Sequence, residues 1–315
     1  MRRWIRVSRP AQRNFADEAQ DGPSKGPCAC STGYNPGTMS HLELTVLGAG
    51  NMGRALIGGL LRHGMRPEQI AVGESQEGAR ATLSRELGIA ATPDNAAAIR
   101  KANLIVLAVK PQDAGSVLAS LAAELQRRRP TVLSIAAGVR VQALQSWCGP
   151  GVPVIRAMPN RPAFVGAGIT GLFAPAEVDA SHRAMAAQIM QSVGEAVWVA
   201  TEDALDVVTA LSGSGPAYFF LLAEAMAKAG MDLGLPADTA QRLSIATLHG
   251  AGLLAQGSDG DLARLRAEVT SKGGTTEAAL RTLQAADFNE LIGRAVTAAA
   301  RRSRELAEQA GGTSR

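Results

Sequence analysis

Two stretches of this sequence set glycines at the start of a helix in a way that suits anions. The first is Gly48-Ala49-Gly50-Asn51-Met52-Gly53, between the apolar run Leu42–Leu47 and Met52–His63, where Met52, Leu56 and Leu60 recur at helical spacing. In a strand–turn–helix of this kind the first glycine permits the tight turn. The second lets a backbone approach a pyrophosphate, and the third lets the helix pack on the strand. Free N–H groups and the helix dipole then favour phosphate. The second stretch is Val269-Thr270-Ser271-Lys272-Gly273-Gly274-Thr275-Thr276-Glu277. Its glycines free the backbone before a helix begins, which suits a carboxylate, and Thr275 and Thr276 add hydroxyls. A plain Gly-rich turn and a plain capped helix are the alternative readings, and capping and anion binding can coexist.

Smaller groups lie between them. Val72-Gly73-Glu74-Ser75 ends a second strand; an acid there accepts from ribose hydroxyls and repels a 2′-phosphate. Ser75 and Arg80 are the alternative, as receivers of that phosphate, so the choice of dinucleotide stays open. Val109-Lys110-Pro111 ends a buried strand, and Pro111 biases Lys110 toward extended backbone, beside a cofactor or as a simple strand stop. Ala136-Ala137-Gly138 leaves room for a ring. In Met158-Pro159-Asn160-Arg161-Pro162, two prolines stiffen the loop that presents Asn160 to a ligand or to a turn. Leu211-Ser212-Gly213-Ser214-Gly215-Pro216 precedes a helix as a close-contact segment or a flexible turn.

The elements that must position these groups alternate. Strands are expected at Leu42–Leu47, Gln69–Val72, Leu104–Val109, Thr131–Ile135, Pro153–Arg156, Gly168–Phe173 and Ala196–Val199, with helices between them. The run LIVLAV at Leu104–Val109 is unbroken, as in strands buried on both faces of a parallel sheet. The expectation is an α/β fold: a Rossmann-like, doubly wound parallel sheet over residues 41–201, with the loops at one edge. After Thr201 strands stop. Asp203–Leu211, Pro216–Ala229, Ala237–Leu254, Leu262–Val269, Thr275–Leu283 and Phe288–Ala310 read as Ala- and Leu-rich helices of a second, all-helical domain over residues 202–312. Residues 1–40 lack hydrophobic period and read as an unstructured extension, with Met39 as an alternative start.

Composition narrows the function. Six of the 32 basic residues and three of the 28 acidic ones lie in residues 1–38, leaving 26 and 25, a net of +1. A nearly neutral folded part gives no nucleic-acid signal, and the pI near 9.2 belongs partly to the tail. Cys28, Cys30 and Cys148 form no Cys-x-x-Cys pair and the four histidines are scattered, so neither a disulfide framework nor a metal site is expected. No run of about 18 uncharged apolar residues stands out, so no membrane span is expected, and the cytoplasm is the default.

Seven motifs in order resemble the pyrroline-5-carboxylate reductases, from about Leu42 to Ala310: LGAGNMG at Leu47–Gly53, TPDN at Thr92–Asn95, AVKPQ at Ala108–Gln112, SIAAGV at Ser134–Val139, RAMPN at Arg156–Asn160, LSGSGPAY at Leu211–Tyr218 and VTSKGGTT at Val269–Thr276. The resemblance implies NADPH, or NADH in its place, reducing the cyclic imine 1-pyrroline-5-carboxylate to L-proline. It implies a cofactor lined by Gly48, Ala49, Gly50, Asn51, Met52, Gly53, Asn95, Ala108, Val109, Lys110, Pro111 and Asn160, with Glu74 and Ser75 at its ribose. It implies a substrate held by Ser271, Gly273, Gly274, Thr275 and Thr276, with Thr276 as hydrogen-bond partner or proton donor at the imine nitrogen. It also implies a helical domain intertwined in a homodimer or a ring of dimers. Arg161 stands where the family often has Thr, and Lys272 where many members have Pro.

Other readings remain. A β-hydroxyacid dehydrogenase type shares the first motif, but the Lys and Asn it needs after Gly215 are here Phe219 and Ala223. A nucleotide sensor would lack the second anion segment. A six-membered cyclic imine differs by one methylene, worth only about 1–3 kcal/mol of discrimination.

Overall fold

The computed structural model describes residues 41–311; the expectations of an unstructured extension and of a start at Met39 lie outside the described residues. Eight strands form one sheet: β1 (Leu44–Leu47), β2 (Ile70–Gly73), β3 (Ala91–Thr92), β4 (Leu104–Leu107), β5 (Thr131–Ser134), β6 (Val154–Met158), β7 (Gly168–Phe173) and β8 (Gly194–Trp198). Their order across the sheet is β3-β2-β1-β4-β5-β6-β7-β8. From β3 to β6 every pairing is parallel. β7 then runs antiparallel to β6, and β8 parallel to β7. The doubly wound parallel sheet expected from sequence is present and departs from parallel pairing at one junction: the single 3-10 turn Arg161–Val165 between β6 and β7 is too short for a crossover back to the starting edge.

Apolar alternation explains how the sheet is sandwiched. In β4, Leu104 and Val106 point into one core with Leu56, Ile57, Leu60, Ile189 and Met190. Ile105 and Leu107 point into the other with Leu118, Leu121, Leu125 and Leu144. These side chains come from α1 (Asn51–Arg62) and α6 (Ala180–Gln191) on one face and from α4 (Pro111–Arg128) and α5 (Val141–Cys148) on the other. α2 (Glu77–Leu87) and the short α3 (Asn95–Ala98) complete the layers. Successive residues of a strand face opposite sides, so an unbroken apolar run is what a two-sided core requires.

The remaining helices are α7 (Ala204–Val208), α8 (Gly215–Asp232), α9 (Ala237–Gln256), α10 (Leu262–Glu268), α11 (Thr275–Ala285) and α12 (Phe288–Gly311). The Leu211–Pro216 segment does not break the chain between α7 and α8. A π turn over Thr209–Gly213 carries the helix through, with the Ser214 N–H donating to the Thr209 carbonyl at 2.8 Å. Among the described residues the resulting run, Ala204–Asp232, is the one helix long and apolar enough by composition to cross a membrane, with 22% of its apolar window buried. Glu224 and Lys228 lie within that run.

Candidate functional site

The chain leaves β1 toward β2 and β3 on one side and toward β4, β5 and β6 on the other. That reversal opens a crevice at the strand C-termini, between the loops that follow β1 and β4. The sequence-predicted residues of the first half converge there. Gly48 has φ +100°, and a Cβ on it would lie 2.7 Å from the Ala108 carbonyl oxygen. Its N–H donates to the Gly73 carbonyl at 2.8 Å, so the ends of β1, β2 and β4 close on one glycine. A Cβ on Gly53 would collide with the Gly48 carbonyl, and one on Gly73 with the Asn95 side chain. Both are close approaches that only glycine allows in this arrangement.

Gly50 differs. A Cβ there would meet nothing within 4 Å, so packing within the chain gives no reason for glycine. Gly50 is the N-cap of α1, makes no side-chain cap, and the first turn holds no acid. An open helix N-terminus under an uncrowded glycine fits a diphosphate, whose close approach needs the missing side chain and whose charge the N–H groups favour. Beside this turn stand Glu74, just after β2, and Asn95, whose side chain packs against Gly73. One Glu74 oxygen accepts the Ala49 N–H at 2.7 Å and the other the Gln76 N–H at 2.8 Å. Ser75 is exposed. Arg80 donates through Nη1 to the carbonyls of Glu74, at 2.9 Å, and Ser75, at 2.6 Å. Ala108 and Val109 are half-buried just after β4, and Lys110 caps α4 with Pro111 in its first turn.

Asn160 serves the scaffold. Its Nδ2 donates to the Ser212 carbonyl at 3.2 Å and its Oδ1 accepts the Ile169 N–H at 3.0 Å. Ser212 is available because the residue four positions on, Pro216, has no N–H to give its carbonyl. Asn160 thus ties the end of β6 to β7 and to the helical half. Arg161 beside it is exposed, with its guanidinium 5.5 Å from the Phe164 ring centre.

The second anion segment closes on itself. Gly273, at φ +74°, donates its N–H to the Glu277 carboxylate at 2.6 Å, and the Gly274 N–H donates to the Ser271 carbonyl at 3.0 Å. Gly274 is the N-cap of α11 without a side-chain cap, with Thr275 and Thr276 in the first turn. Ser271, Lys272, Gly273 and Thr275 are exposed and Thr276 is half-buried. α11 packs on α12. Glu277, quoted in the motif but given no role there, holds this loop.

Sequence reasoning missed a network that joins the halves. Glu202 Oε1 accepts Arg156 Nη1 at 2.6 Å and the Val141 N–H at 2.7 Å. Arg140 reaches Asp203 at 2.6 Å and Asp206 at 3.1 Å, and the buried Ser303 hydroxyl donates to Asp206 at 2.7 Å. Burial works against the Arg140 charge, but the Asp203 hydrogen bond and the charges of Asp206 and Glu202 hold it above the usual arginine value. A Cβ on Gly138, in the loop after β5, would lie 3.4 Å from the Ala307 nitrogen, so α12 sits against the cofactor edge of the sheet. The partners lie 46 to 97 positions apart, and local spacing carries no sign of them. Among the described residues no group of three His, Cys, Asp or Glu side chains is placed to hold a metal ion.

Comparison with known proteins adds the following. A family model described as pyrroline-5-carboxylate reductase dimerisation matches residues 202–306, and one described as NADP oxidoreductase, coenzyme F420-dependent, matches residues 43–138. A pyrroline-5-carboxylate reductase of Pseudomonas aeruginosa is 44% identical over 273 residues, covering 87% of this chain and all of the relative. A solved reductase of that name from Coxiella burnetii superposes with a TM-score of 0.82 at 39% identity, over 84% of this chain and 98% of the other. A Plasmodium falciparum pyrroline carboxylate reductase solved with NADP bound gives 0.73 at 27% identity, over 85% and 98%.

Proposed function

Because this chain belongs to the pyrroline-5-carboxylate reductase family, as an NAD(P)H-dependent oxidoreductase of proline biosynthesis, we propose how its own residues divide the work of reducing the imine of 1-pyrroline-5-carboxylate to L-proline. One observation carries the reading: an uncapped α1 N-terminus under Gly48 and Gly50 for a dinucleotide, and a separate α11 N-terminus bearing Thr275 and Thr276 for the substrate.

A bound reduced nicotinamide supplies hydride. Gly48 to Gly53 hold the diphosphate, Glu74, Ser75 and Asn95 meet the adenosine ribose, and Ala108 to Pro111 line the path toward the ring. Asn160 takes part by fixing the loop between β6 and β7. Gly273 and Gly274 shape the loop, and Ser271 with the N–H groups of Thr275 and Thr276 takes the substrate carboxylate. The Thr276 hydroxyl hydrogen-bonds the ring nitrogen, which gains a proton as its carbon gains hydride. An iminium carbon accepts hydride readily, so the protein's main task is alignment. That fits a site with no His–Asp or Cys–His arrangement.

The chain works as a homodimer or a ring of dimers in the cytoplasm. Support comes from α8 and α9, which leave Phe219, Phe220, Leu221, Leu243 and Ile245 exposed and flank an open groove of about 1050 Å³. An apolar face of that extent asks for a second copy. Strands give way to helices after Thr201, between β8 and α7, which supports a domain boundary there.

The test follows loss of absorbance at the nicotinamide band with pyrroline-5-carboxylate and identifies proline as product. Thr276→Ala is expected to lower kcat by about a hundredfold or more, the usual worth of one placed proton partner, with cofactor affinity unchanged. An unchanged kcat assigns the proton to water. No oxidation with either dinucleotide sinks the reading for this substrate.

A further inference from the structure

The end of β2 holds a carboxylate whose charge is matched by no cation. Glu74 is half-buried, and its two oxygens each accept one backbone N–H, from Ala49 and from Gln76. A carboxylate offers about four lone-pair sites, so about two remain open. The Asn95 side chain packs against the neighbouring Gly73. The guanidinium nearest in the chain, Arg80, donates to the carbonyls of Glu74 and Ser75 rather than to the carboxylate, and so closes the 74–76 turn. Among the described residues no salt bridge reaches Glu74.

Two remaining acceptor sites match a ribose that donates two hydroxyl protons. They do not match a 2′-phosphate, which brings negative charge and no proton to give. We propose that Glu74 sets this chain's relative affinity for the two dinucleotides, accepting from the free 2′-hydroxyl and repelling a 2′-phosphate, so that the form without the phosphate binds more tightly. The inference rests on the dinucleotide reading above. It concerns affinity alone, since both forms carry the same nicotinamide. A phosphate about 5 Å from a carboxylate in a water-like dielectric loses roughly tenfold in affinity.

The experiment compares ADP-ribose with 2′-phospho-ADP-ribose by isothermal titration against the full chain near neutral pH. These probes lack nicotinamide and differ in the phosphate alone, so binding is read without turnover. The wild type is expected to bind ADP-ribose about tenfold more tightly. Glu74→Gln, which keeps an acceptor for the Ala49 N–H, is expected to bring the ratio within about threefold by improving the phosphorylated probe. Tighter wild-type binding of the phosphorylated probe, with that preference lost in Arg80→Ala, overturns the inference and makes Arg80 the phosphate's partner. An unchanged ratio in a folded Glu74→Gln, checked by its melting temperature, overturns it as well. If neither probe binds, the dinucleotide site itself fails and the inference with it. The wild-type ratio needs no variant, so a misfolded variant leaves the main test standing.

Discussion

The two halves of this chain meet water on different terms. Every residue of β1, β4 and β5 is buried, and the helices on both sides of the sheet direct leucines inward. In the other half, α8 buries only Gly215 of its eighteen residues, and no residue of α10 or α11 is buried. Helices draw most of their stability from a covered apolar face. The sheet half therefore closes its own core, while the helical half leaves an apolar face uncovered in the single chain. The same contrast runs through the site. The turn at Gly48 is assembled within the sheet half, whereas the Ser271–Thr276 segment lies on the exposed half.

The comparison breaks most sharply at Gly48. Gly48→Val adds a side chain at φ +100° against the Ala108 carbonyl. We expect ADP-ribose affinity to fall at least about a hundredfold, from strain plus a displaced helix N-terminus, as read by isothermal titration. Retained affinity would mean that the crevice is more adaptable than its packing.

Leu221→Glu tests the other half. Leu221 is 66% exposed in the single chain and lines the groove between α8 and α9. Light scattering should show the assembly falling to monomers with loss of turnover, while ADP-ribose affinity stays within about twofold, because the crevice is complete within one chain. A monomeric variant with full activity would end the claim that the helical half needs a partner.

The joint between the halves comes next. Glu202→Gln removes the charge facing Arg156, whose side chain is 8% exposed. Unfolding in urea should show a loss of about 2 kcal/mol, below the cost of a fully buried broken pair because Glu202 keeps some solvent access. For contrast, Lys228→Ala breaks an exposed i,i+4 pair with Asp232 and should cost under about 0.5 kcal/mol.

Cys148 gives the mildest test of the closed core. Burial pushes its thiol up to about 12, so it stays protonated in the folded chain well beyond neutrality. Alkylation near pH 8 followed by peptide mapping should leave Cys148 unlabelled until the chain is unfolded. Unfolded, the thiol ionises near its ordinary value of 9.0, so this residue's contribution to stability is whole below that pH and declines above it toward 12.

Much of this was legible in the sequence, and for local reasons. Leu104–Leu107 reads as a strand because its neighbours in sequence face opposite cores. Gly48, Gly50 and Gly53 read as a phosphate turn because their spacing belongs to one strand end and one helix start. Pro111 marks the first turn of α4 because its missing N–H costs nothing there. Ala91–Thr92 escaped because two residues carry no period. The antiparallel β7 escaped because strand direction depends on how the connection returns, and the alternation of side chains does not encode it. The helix through Leu211–Pro216 escaped because Gly, Ser and Pro signal a break locally, while the π turn is held by Asn160 from another part of the chain.

What the sequence determined by itself was whatever one strand, one turn or one helix start can express: the layered α/β half, the helical half, and two helix N-termini without side-chain caps. What only the tertiary structure decided was which groups finish each other's bonds across long separations. Glu202 finds Arg156 and Asp206 finds Ser303, Asn160 closes on the π turn, and Glu74 turns to the N–H of Ala49. Periodicity reports the face a residue presents, because backbone geometry repeats over a few positions. A buried polar group must find a partner wherever folding brings one, so its choice is settled only when the chain has closed.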